Sequence, residues 1–161
     1  MIFKKPQRFV HTTVLHHSAS SNPEHNTIEW LYNLHVNQNG WCDVGYHFFI
    51  DYDGNILSGR NLETQPAAQV RFNTGTIAIC AAGIGNSFNE DQFKALKNLC
   101  LDIDKAYKGK MAYKGHKDLM ATECPHYDYK SLLNLDNNGY IIKKGFWSRL
   151  FKKLAPSNFF N

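Results

Sequence analysis

The run Thr76-Ile77-Ala78-Ile79-Cys80-Ala81-Ala82 constrains this chain more than any other segment. It is near-continuously apolar and of strand length. With no polar face to turn toward water, such a strand is buried on both sides of a sheet. A sheet covered on both faces needs helices to cover it, and the flanking sequence supplies them. Asn89 is placed to cap a helix whose third residue is Gln92, with Phe88 able to staple onto Phe93. Phe93, Leu96, Cys100, Ile103 and Tyr107 then recur on the helix's buried stripe. Upstream, Asn22 and Pro23 make a cap and a first helical position. Ile28, Leu31, Tyr32 and His35 follow at helical spacing until Asn39-Gly40 ends the helix.

The remaining segments read as short strands and turns. Residues 9–17 are rich in β-branched and apolar side chains and predict a first strand. Tyr46 to Tyr52 predicts a second, Asp53-Gly54 a hairpin turn, and Asn55 to Ser58 the return strand. Met111 to Gly115 reads as a further short strand, and Asp128 to Leu135 as a helix. Strands alternating with helices predict an α/β fold: a single domain with a central mixed β-sheet flanked by helices. A length of 161 residues, 43% of them hydrophobic, suffices for one proper core. The domain is expected over 1–140, with a basic tail over 141–161.

Charge is unevenly placed. Lys143, Lys144, Arg149, Lys152 and Lys153 carry five positive charges with no acid beyond them, so of the formal +4 the body retains about −1. A nucleic-acid partner would need a basic patch on the folded body, and none is indicated. Within the tail, Phe146, Trp147, Leu150, Phe151 and Leu154 share one helical face, with Arg149, Lys152 and Lys153 mostly off it. A basic amphipathic helix of this kind either lies on an anionic membrane or wall polymer or docks its apolar face on the domain. No run of 18 apolar residues is present, and the basic N-terminus is followed by no apolar core, so no signal peptide is expected.

The four cysteines show no paired spacing. Cys80 and Cys100 sit in apolar runs and read as buried thiols, whereas Cys124 lies in a polar turn before Pro125. That turn is one of three segments bearing metal-capable residues at strand ends or in loops. The others are Leu15-His16-His17-Ser18-Ala19 and Gly115-His116-Lys117-Asp118. An eight-residue step from His116 to Cys124 can fold back so that an imidazole and a thiolate converge on one ion. Two imidazoles and a thiolate favour zinc and leave a fourth position for water, whose pKa zinc lowers toward about 7. Eight histidines offer several trios. His16 and His17 must point to opposite faces of their strand, so one of them enters the site, and His126 also lies near Cys124.

The segment Gly40-Trp41-Cys42-Asp43-Val44-Gly45-Tyr46-His47-Phe48-Phe49-Ile50 resembles the signature of zinc-dependent N-acetylmuramoyl-L-alanine amidases, the type 2 amidase family that includes phage lysozyme-type amidases and peptidoglycan recognition proteins. His16-His17-Ser18-Ala19 resembles its first ligand motif, and Gly115 to Pro125 its last, with the histidine-to-cysteine spacing intact. Asp53-Gly54 followed by Gly59-Arg60, and Asn73 ahead of Thr76 to Ile79, fit as well, so the resemblance runs from about Phe9 to Leu135.

Carried over by position, it implies a peptidoglycan-recognition/type 2 amidase-like fold with His16, His116 and Cys124 as zinc ligands. It further implies Tyr46 as the active-site tyrosine and Thr122 as a neutral hydrogen-bond donor where some members carry lysine. One stretch departs. A His-x-x-Gly-x-Asn pattern ordinarily precedes the buried strand, and here Ala68-Gln69-Val70-Arg71-Phe72-Asn73 has neither the histidine nor the glycine.

The implied activity is hydrolysis of the amide between N-acetylmuramic acid and L-alanine of the stem peptide. The alternative is a binding module that recognises peptidoglycan without cutting it, and such relatives characteristically lose the cysteine. A structural zinc domain would instead close the site with a fourth protein ligand, His126 or His17. The expected partner is a muropeptide, met by a monomer made in the cytoplasm and reaching the wall after release by another lysis factor. His35 and Trp41 are open between substrate contact and core, and His47, alternating with Tyr46, reads as a satisfied interior histidine.

Overall fold

The computed structural model describes residues 3–143. Its elements are β1 (Thr12–His17), α1 (Ile28–Tyr32), β2 (Phe48–Ile50), β3 (Ile56–Ser58), β4 (Thr76–Ala81), α2 (Glu90–Ala106), β5 (Ala112–Gly115) and α3 (Tyr129–Leu133). The five strands form one mixed sheet in the order β3-β2-β4-β1-β5, antiparallel only between β2 and β3. The doubly apolar run is the central strand β4, buried at every residue.

Period-two alternation divides the core between the two faces. Leu15, Phe48, Ile50, Ile77 and Ile79 pack with Leu96, Leu99, Cys100 and Ile103 of α2 and with Tyr129 and Leu133 of α3. Phe49, Cys80 and Ala82 face the other way, against Leu31 of α1 and Val44. The α2 cap forms as the sequence predicts. Asn89 Oδ1 accepts from Gln92 N at 3.0 Å and Gln92 Oε1 from Asn89 N at 3.2 Å, with Phe88 and Phe93 rings 6.0 Å apart.

Several expected bounds need correction. The second strand spans Phe48–Ile50 rather than 46–52, with Tyr46 and His47 just ahead of it, and the last helix spans Tyr129–Leu133 rather than 128–135. The first strand begins at Thr12 rather than residue 9, because Phe9 stands exposed ahead of the first ladder partner, Thr76. Asn22 does cap a helix, but one of a single 3-10 turn, Pro23–His25. The α-helix starts later, where Thr27 Oγ1 accepts from Trp30 N at 3.1 Å. It then widens into a π-helical segment, Asn33–Gln38, before Asn39-Gly40 stops it. Leu31 and His35 are buried along this stretch, while Tyr32 lies off the buried stripe.

Residues 141–143 return to the body: Ile142 N donates to Asn134 O at 2.9 Å, and Lys143 pairs with the buried Asp104 at 3.6 Å. The amphipathic face expected over 143–154 lies, Lys143 apart, outside the described residues. Among the described residues no helix is long and apolar enough to cross a membrane.

Candidate metal centre and active site

The parallel strands β1 and β5 both end on the same edge of the domain, where ligand-binding crevices of open α/β sheets form. His16 is the next-to-last residue of β1 and lies opposite Cys80 in the ladder, so its ring is on the α1 face of the sheet. His116 follows β5 directly, and the chain from there to Cys124 folds back with Lys117 N donating to Cys124 O at 2.7 Å. The ligand atoms of His16, His116 and Cys124 all lie within 4.8 Å of one another.

Cys124 Sγ stands 3.8 Å from His16 Nδ1. Tetrahedral zinc with nitrogen and sulfur ligands at their usual bond lengths sets such a pair about 3.6 Å apart. The separation of this pair therefore fits a tetrahedral ion as it stands.

The electrostatics suit a cation. Burial, reinforced by neighbouring His116 and His17, pushes His16 down to about 3, so it is a neutral imidazole with a lone pair to offer rather than an imidazolium. His116 is lowered by burial as well. Burial pushes the Cys124 thiol up to about 11, against a smaller downward pull from the His17 N–H, which donates to Sγ at 3.4 Å, and from Lys117. A thiolate here calls for a positive ion beside it.

Tyr46 lies with its ring 5.2 Å from that of His16, half-buried and with its hydroxyl beside the Cys80 thiol. Burial first, then Cys80 and Cys124, holds its phenol well above the ordinary value, so it keeps its proton at neutral pH and can donate a hydrogen bond. Thr122 reaches the centre through Cys124, whose N–H donates to its Oγ1 at 3.2 Å; the hydroxyl's own proton is not used in that bond.

The two histidines that a closed site would recruit are elsewhere. His17 and His126 face one another with ring centroids 4.8 Å apart, and neither joins the cluster. His47 is the interior histidine expected. Its Nδ1 accepts from Ala78 N at 3.0 Å, so Nε2 carries the proton and donates to Thr64 O at 2.9 Å, and burial lowers the ring to about 4. His35 is buried and accepts from Gly45 N at 3.1 Å, which braces the backbone just before Tyr46. Trp41 stacks on His35 at 4.6 Å while staying 40% exposed, so it is a partial cover rather than core.

Sequence reasoning missed Gln69. It is fully buried, and its Oε1 lies 3.0 Å from His16 Nε2. The only signal was that it falls in the stretch that departs from the family pattern. That departure proves to be one of side chain rather than backbone: Arg71, standing where the pattern has glycine, takes φ +71.

The family model for N-acetylmuramoyl-L-alanine amidases matches residues 6–127. The chain is 27% identical over 133 residues to the endolysin of Enterobacteria phage T3, covering 78% of this chain and 87% of that one. It is 32% identical over 122 residues to peptidoglycan-recognition protein SC2 of Drosophila melanogaster, covering 70% of this chain and 66% of that protein. Among solved structures, N-acetylmuramoyl-L-alanine amidase LysC from Clostridium intestinale superposes with a TM-score of 0.69 at 26% identity, covering 79% of this chain and 85% of that one.

Proposed function

Since the chain belongs to the N-acetylmuramoyl-L-alanine amidase family, we propose that it cuts peptidoglycan at a zinc centre held by His16, His116 and Cys124. The protein is a peptidoglycan hydrolase of the amidase class. The observation that carries the zinc reading is the convergence of two neutral imidazoles and one thiol, with ligand atoms within 4.8 Å, from three separate parts of the chain.

Bound there, zinc would supply a Lewis acid with one position open to water, acidifying that water and polarising the substrate carbonyl. The rest falls to the protein's own side chains. The net reaction adds water across the amide joining the lactyl group of N-acetylmuramic acid to L-alanine: the C–N bond breaks, leaving a carboxylic acid on the lactyl group and an amine on alanine. Negative charge develops on the carbonyl oxygen as the amide is attacked. Tyr46, kept protonated by its surroundings, donates a hydrogen bond to that oxygen. Thr122 serves as a second donor through its unused hydroxyl proton, with less electrostatic help than an ammonium would give. His16 stays neutral throughout, because its burial opposes protonation.

Dye release from purified cell walls tests this. Lysis is expected to stop on treatment with a chelator and to return on adding zinc. Lysis that persists after complete removal of metal contradicts the zinc reading.

A further inference from the structure

The stretch 68–73 is a turn with one residue aimed inward. Asn73 Oδ1 accepts from Ala68 N and Gln69 N at 3.1 and 3.0 Å, and Phe72 N donates to Gln69 O at 3.0 Å. The turn places Arg71 at its third position with φ +71, a conformation ordinarily left to glycine. Val70, Arg71 and Phe72 are exposed, and Gln69 alone of the four is buried, directed at β1.

The orientation of the Gln69 amide follows from its partners. Its Nε2 donates to Phe72 O at 3.3 Å and to Thr76 Oγ1 at 2.8 Å. Phe72 O can only accept, and Thr76 Oγ1 spends its own proton on Asn73 O at 2.8 Å. The nitrogen must therefore face those two groups, and the oxygen must face His16. An amide oxygen has no proton to give, so the bond at 3.0 Å requires the proton on His16 Nε2. The lone pair is then on Nδ1, the atom 3.8 Å from Cys124 Sγ.

We propose that Gln69 is a positioning residue that fixes His16 as the Nε2–H tautomer and so holds its Nδ1 ready as the metal ligand. The inference rests on the reading of His16 as a ligand. Outer partners of metal-bound histidines fix ring orientation and tautomer in this way, and losing one commonly weakens metal binding by about 10- to 100-fold.

The test reads the tautomer and the metal rather than turnover. Long-range nitrogen–proton NMR spectra of the metal-free wild-type protein are expected to show His16 protonated on Nε2. In Gln69→Leu that signal moves toward a mixture of tautomers, and zinc affinity measured by chelator competition falls about 10- to 100-fold. A wild-type His16 carrying its proton on Nδ1 overturns the proposal, and this holds even if Gln69→Leu does not fold. Unchanged tautomer and zinc affinity in a folded Gln69→Leu overturn it too. A protein that passes both tests yet cuts no wall contradicts the amidase reading and leaves the role of Gln69 standing.

Discussion

Two loops reach the centre, and they treat the family pattern in opposite ways. The loop from His116 to Cys124 keeps the proposed ligand residues and their spacing, and the structure brings both to His16. The loop over 68–73 has lost the two residues that mark it, yet it still delivers a side chain, Gln69, to the same histidine. A ligand must supply a specific lone pair at a set distance, so its identity is tightly constrained. A supporting residue must only complete a hydrogen bond, and a turn must only close, so several residues serve at a modest cost in strain.

That contrast gives an ordered set of expectations. Cys124→Ser removes the one thiol of the proposed ligand set and is expected to abolish measurable dye release and to cost most of the zinc affinity. A variant that still turns over would mean that the first loop is as permissive as the second. Tyr46→Phe deletes the proposed donor while leaving the three proposed ligands intact. The rate is expected to fall by about 10²-fold with zinc content unchanged, as for loss of one oxyanion donor; an unchanged rate would remove Tyr46 from the chemistry. The smallest effect belongs to the permissive loop. Arg71→Gly relieves a left-handed φ and is expected to raise stability by about 1 kcal/mol, or roughly 2–4 °C in Tm for a chain of this size. A fall in Tm would show that the Arg71 side chain makes contacts outweighing its backbone strain.

Much of this architecture was legible in the sequence, for local reasons. The run over Thr76 to Ala81 has no polar face, so its burial follows without any knowledge of its neighbours. Asn89 and Gln92 sit at the fixed offset of a capping box, and that geometry is decided within one helical turn. The start of α1 was harder to read because two capping signals, Asn22 and Thr27, lie five residues apart and each caps its own segment. Nothing in the residues Asn33 to Gln38 marks the widening to π geometry, along which His35 is buried and accepts from Gly45 N.

At the centre, the trio His16, His116 and Cys124 stood out only through the joint pattern of motifs, since eight histidines permit many trios, and the structure brings these three together. Strand alternation did separate His16 from His17, and the structure puts His17 against His126 on the other side. Gln69 was signalled only by its place in the stretch that departs from the family pattern. Its approach to His16 is a tertiary contact across 53 positions.

The central claim, an open zinc site with three protein ligands, is tested most directly by X-ray absorption at the zinc edge on the metal-loaded protein. The account predicts one sulfur at about 2.3 Å with three lighter ligands at about 2.0–2.1 Å, two of them showing the outer-shell scattering of imidazole. A third imidazole would mean that His17 or His126 closes the site, and the absence of sulfur would mean that Cys124 is not a ligand. Either result would contradict the account.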